Sequence, residues 1–152
     1  MKKETQAIEI LARGACVQGG KVLVCRNRKQ GNVYLPGGHV DWGEDSKRAL
    51  AREWREELGV PGKAGRFLGV VEQAYKARSG RTCEISLVFE VVCPRISAKK
   101  HPASAEDHLE FEWVPLKQLG KSGLLPRALA ENLPAWCVQP AAAATRWHGY
   151  PR

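Results

Sequence analysis

The sequence predicts one mixed α/β domain spanning residues 1–152. Three observations lead there. Segments rich in β-branched and apolar residues recur between turn signals, one long amphipathic helix interrupts them, and the chain is the length of a single domain. With 43% hydrophobic and 26% charged residues, the composition is globular rather than disordered or fibrous. No apolar run approaches the roughly 18–20 residues of a membrane helix. Glu4, Glu9 and Arg13 interrupt any signal-peptide core, so the expectation is a cytoplasmic chain without a membrane partner.

The expected strands are Ala7–Val17, Lys21–Arg26, Arg66–Tyr75, Thr82–Cys93 and Leu109–Val114. Gly19-Gly20 reads as a hairpin turn between the first two, and Arg78-Ser79-Gly80-Arg81 as a tight connection between the third and fourth. Pro94–Ala105, polar with two prolines, is a loop. A helix fits Asp45–Leu58, where Leu50, Trp54 and Leu58 form an apolar stripe and Gly59 supplies the stop. A shorter helix fits Pro126–Leu133. From about Pro134 a Pro/Ala-rich tail follows, with Trp136, Trp147 and Tyr150.

Cys16, Cys25, Cys83, Cys93 and Cys137 are odd in number and widely spaced, with no CxxC pair. That excludes a disulfide scaffold and a structural zinc site as readings. The net charge of +8 is uneven. Residues 1–37 and 61–105 each carry +5, residues 106–152 are neutral, and residues 38–60 carry −2. An acidic island in a basic chain suits a cation site facing an anionic substrate. The basic charge also permits RNA as a partner, although no basic-aromatic signature specifies it. Monomer and homodimer both remain open.

Glu53, Glu56 and Glu57 share one helix face at i, i+3 and i+4, a spacing that alone fits a solvated charged surface. The preceding Leu35-Pro36-Gly37-Gly38-His39-Val40-Asp41-Trp42-Gly43-Glu44 changes this. A Pro-Gly-Gly turn can present a backbone group beside the carboxylates, and hard divalent cations take such oxygen ligands.

Gly38, Glu44, Arg52-Glu53, Glu56-Glu57 and Gly59, at these intervals, resemble the signature box of the Nudix hydrolases, the MutT-like family. Seven such identities under uniform usage have a chance on the order of 10⁻⁹ per starting position. Trp54 departs from the pattern, where an aliphatic residue is usual. The Trp113-Val114-Pro115-Leu116 segment is also similar to the family.

The resemblance implies an α/β/α sandwich with a central mixed β-sheet. It implies Mg²⁺-dependent (or Mn²⁺-dependent) hydrolysis of a nucleoside diphosphate derivative. Glu53, Glu56 and Glu57 would hold the metal with a carbonyl of Gly37 or Gly38. Arg52 would orient the carboxylates, and Glu44 would support the loop or assist at the metal. The general base would be a box glutamate, Glu84, or an acid within Glu106–Glu112, and Glu84 is also a candidate metal ligand. Arg26 and Arg28 are candidate phosphate clamps, and Tyr34 a candidate base-stacking residue. Tyr75 lies 15 residues past Val60, near where dinucleoside polyphosphate hydrolases carry a tyrosine. Other subfamily markers are absent or incomplete, which puts a nucleoside triphosphate yielding monophosphate and pyrophosphate first. Nucleotide sugars, ADP-ribose and dinucleoside polyphosphates follow. A non-catalytic nucleotide sensor and an RNA 5′-end-binding protein are the readings from other classes.

Overall fold

The computed structural model describes residues 5–77, 80–138 and 147–148. Two sheets form. The larger contains β1 (Thr5–Ala15), β5 (Gly37–His39), β6 (Lys63–Ala77), β7 (Gly80–Val92) and β9 (Trp147–His148), in the order β5-β1-β7-β6-β9. It is mixed: β1 runs parallel to β7, whereas β5 on β1 and β6 on β7 are antiparallel. In the smaller sheet, β3 (Lys21–Asn27) pairs antiparallel with β2 (Val17–Gln18), β4 (Val33–Tyr34) and β8 (Leu109–Pro115).

Helix α1 (Ser46–Leu58) covers one apolar cluster, placing Leu50, Trp54 and Leu58 with Ala12, Phe89 and Val91. Helix α2 (Arg127–Val138) covers a second, with Leu129, Leu133 and Trp136 against Val71 and Val88. Val88 and Phe89 are neighbours on β7, so the two clusters lie on opposite faces of the mixed sheet. Strand β3 is buried on both faces as well. Val22 and Val24 join the α2 cluster, while Leu23 and Cys25 join the α1 cluster. This is the expected layered arrangement.

The start of α1 falls where the sequence places it. Asp45 is the N-cap, its Oδ1 accepting the Lys47 and Arg48 amides at 3.0 and 3.1 Å, and Gly59 closes the helix at φ 69°. Asp45→Ala is expected to cost about 1 kcal/mol, read as a lowered denaturation midpoint. An unchanged midpoint would remove the cap's contribution.

Three expectations are corrected. The first strand stops at Ala15, because the Gly19-Gly20 turn, with both φ positive, folds Val17–Gln18 onto Lys21–Val22 in the other sheet. The second helix continues through Pro134 to Val138, where burial of Trp136 offsets the missing N–H. The expected tail therefore does not begin at Pro134. Thirdly, two short strands, β4 and β5, and a 3₁₀ turn at Leu116–Lys121 form where no strand or helix was expected. Arg78, Ser79 and Tyr150 lie outside the described residues. Among those described, no helix is long and apolar enough to cross a membrane.

Candidate active site

Strand β5 lays the Gly-Gly pair between β1 and α1. Gly37 has φ 130°, and a Cβ there would lie 2.1 Å from the Ala12 carbonyl oxygen. A Cβ on Gly38 would lie 2.5–2.7 Å from the Glu53 carboxylate. Only glycine lets the backbone approach the glutamate face this closely.

Arg52 organises the acids around it. Its Nε and one terminal nitrogen grip Glu44 at 3.0 and 2.9 Å, the paired geometry that favours arginine over lysine. The other terminal nitrogen reaches Glu53 at 3.0 Å and Glu56 at 3.6 Å, while the nitrogen on Glu44 also donates to the His39 carbonyl at 3.1 Å. Arg52, with the Asp41 amide, holds the Glu44 carboxyl well below the usual range, at about 2.

Glu57 stands apart. It is 5% exposed and its Oε2 accepts the Gly37 amide at 3.1 Å. Burial pushes its carboxyl up to about 8, opposed by that amide and by Arg13, and reinforced by the charges of Glu53 and Glu106. Glu106 arrives on the loop that closes the C-terminal end of α1, where the Ala105 amide and Ser104 hydroxyl both donate to the Glu57 carbonyl. Glu110 and Glu112 are instead paired with Arg26 at 3.6 and 3.4 Å, and Arg28 lies 3.9 Å from Glu110.

Among the described residues no three His, Cys, Asp or Glu side chains form a ready cage for an ion. The donors nevertheless fit a hard divalent cation. They are all oxygen, the absence of a Cβ at Gly38 lets its backbone stand against the Glu53 carboxylate, and the Glu57 carboxyl is buried on the Gly37 amide. Mg²⁺ characteristically uses one or two carboxylates and completes its shell with water and phosphate oxygens.

Beside the box lies a cavity of about 680 Å³, floored by β1 and β7 and bordered by the start of α2. Tyr34 and Glu84 line it, as do three residues that sequence reasoning missed or placed differently: Arg13, Gln73 and Tyr75. The Arg13 guanidinium covers the Tyr34 ring at 4.9 Å and donates to the Leu35 and Gly37 carbonyls at 3.1 and 2.8 Å. An arginine in the middle of an apolar strand was the available signal. Arg26 and Arg28 do not line this cavity, because the β3–β8 ladder commits them to Glu110 and Glu112. The Glu84 carboxylate is likewise held by Tyr75 and Gln73 and makes no hydrogen bond within the box.

The NUDIX domain model matches residues 9–136, and the chain belongs to that family. An ADP-ribose pyrophosphatase of Methanocaldococcus jannaschii is 25% identical over 126 residues, 81% of this chain and 71% of the relative. A Mycobacterium tuberculosis protein named "Putative 8-oxo-dGTP diphosphatase 2" is 32% identical over 115 residues, 73% of this chain and 76% of that one. Among solved structures, a MutT protein from Methanosarcina mazei superposes with a TM-score of 0.67 at 23% identity, covering 91% of this chain and all of the other. The chain is thus a Nudix hydrolase with a mixed α/β fold.

Proposed function

We propose that the chain hydrolyses a nucleoside triphosphate to the monophosphate and pyrophosphate, in a metal-dependent reaction that consumes one water. The observation that carries this reading is the arrangement around β5. Glu57 is buried on the Gly37 amide, Glu53 lies against Gly38, and the Arg13-lined cavity opens beside them. Glu53, Glu56 and Glu57 would hold Mg²⁺ or Mn²⁺ with a carbonyl of Gly37 or Gly38, the pair that β5 lays beside the glutamate face. The bound cation supplies neutralisation of diphosphate oxygens and a more acidic water. Arg52 keeps Glu44 and Glu53 in place, Arg13 faces the anionic end of the substrate, and a box glutamate, or Glu106 from the loop behind Glu57, would take the proton of the attacking water.

A hydrolysis screen with and without EDTA tests this across triphosphates, oxidised triphosphates, nucleotide sugars, ADP-ribose and dinucleoside polyphosphates. Metal-dependent release of monophosphate and pyrophosphate from a triphosphate is the expected result. Cleavage confined to ADP-ribose, or nucleotide binding without cleavage, would overturn it. Arg52→Ala is expected to lower kcat/KM roughly 10- to 100-fold, with Arg52→Lys recovering only part because it lacks the fork. Full activity in Arg52→Ala would remove its positioning role.

A further inference from the structure

The cavity beside the box has two ends of opposite character. At the box end stands the Arg13 guanidinium. Across the sheet, Glu9, Glu84 and Gln73 occupy paired positions on β1, β7 and β6, so two carboxylates face one cavity in a chain of net charge +8. Glu9 is engaged by His39, whose Nε2 lies 3.1 Å from its Oε2. Glu84 is fixed differently. The Tyr75 hydroxyl donates to its Oε1 at 3.0 Å and the Gln73 amide nitrogen donates to its Oε2. Burial and the nearby Glu84 charge push the Tyr75 phenol up to about 12, so it remains a donor.

Each carboxylate oxygen has about two acceptor sites, and one is used on each. Glu84 therefore offers two parallel acceptors of fixed orientation, a pair that repels phosphate and suits two adjacent N–H donors. Guanine presents that edge, with N1–H beside the 2-amino group. Adenine and cytosine place a ring lone pair next to their amino group, and uracil and thymine flank one N–H with two carbonyls. We propose that Glu84, held by Gln73 and Tyr75, reads the N1–H and 2-amino edge of a guanine base whose phosphates extend past Arg13 towards the box. This rests on the nucleotide hydrolase reading above, and it gives Glu84 a specificity role in place of the metal-ligand role expected from sequence.

Binding of uncleaved monophosphates to the full chain, by calorimetry, separates this proposal from the catalytic one. GMP is expected to bind about 10-fold or more tighter than IMP, which lacks only the 2-amino group, and dGMP to bind like GMP. Glu84→Gln should bring the GMP:IMP ratio towards one. Tyr75→Phe, at a half-exposed position, should reduce the ratio without threatening the fold. Equal binding of GMP and IMP by the wild-type chain would overturn the proposal. So would a loss on dGMP with none on IMP, which would place Glu84 on the ribose hydroxyls. Guanine preference without hydrolysis would leave this inference standing and sink the catalytic reading, whereas hydrolysis without base preference would do the reverse.

Discussion

Glu57→Gln is expected to lower kcat at least ~10²-fold while leaving the far-UV circular dichroism unchanged. The amide keeps the size of the carboxyl and an oxygen to accept from the Gly37 amide, so the loss falls on charge. Activity near wild type would sink the assigned metal site. The same substitution has a signature in stability. The Glu57 carboxyl is held up near 8 in the folded chain against an ordinary value of 4.5. A raised folded value means its contribution is complete below about 4.5 and is lost as pH rises through about 8. The metal-free wild-type chain should therefore lose melting temperature relative to Glu57→Gln between pH 5 and pH 9. Mg²⁺ should restore the wild type at pH 8 and leave the variant little changed. Parallel pH curves for the two proteins would show that Glu57 titrates as an ordinary carboxylate.

Trp54→Ala should destabilise the chain by about 3–5 kcal/mol, a large share of the roughly 5–15 kcal/mol that a domain of this kind holds. Trp54 is wholly buried in the α1 cluster, at a position where the resembling box carries an aliphatic residue. Its room comes from two glycines. A Cβ on Gly62 would lie 2.6 Å from the indole, and one on Gly14 would lie 2.6 Å from Val91 and 3.2 Å from Trp54. Gly62→Ala should therefore be harmful with Trp54 present and better tolerated with Trp54→Leu, a coupling that a double-mutant cycle in denaturant measures. Additive effects would show that the two sites do not share space. The indole Nε1 is buried without a hydrogen-bond partner among the described residues, so Trp54→Phe should cost far less than Trp54→Ala.

Legibility in the sequence followed the range of the forces involved. The start of α1 near Asp45, the stop at Gly59, the Gly19-Gly20 hairpin and the glutamate face are set by neighbours within a few residues, and each appears where local pattern put it. The strand break at Cys16 and the extension of α2 past Pro134 are decided by partners far along the chain, which period and propensity do not register. The site divides in the same way. Spacing put Glu53, Glu56 and Glu57 on one helix face, and the resemblance to the family box supplied the roles expected of them, of Arg52 and of Glu44. The joining of Glu84 with Gln73 and Tyr75, the placing of Arg13 beside Glu57, and the diversion of Arg26 and Arg28 to β8 follow from strand register. Register was not deducible from any one segment.

The parallel ladder between β1 and β7 sets a timetable for synthesis. Thr5–Ala15 pairs with Gly80–Glu90, about half the chain away, and β5 with its glycines is hydrogen-bonded to β1. Contacts of such high order form slowly, because the intervening loop must close before any pairing compensates. On the ribosome, most of the N-terminal strand must wait until β7 has emerged, and a nascent chain cut short before residue 80 has α1 in full but only the short β5 to pair with β1. Catalytic competence then arrives late in translation, long after the acidic helix itself has been made.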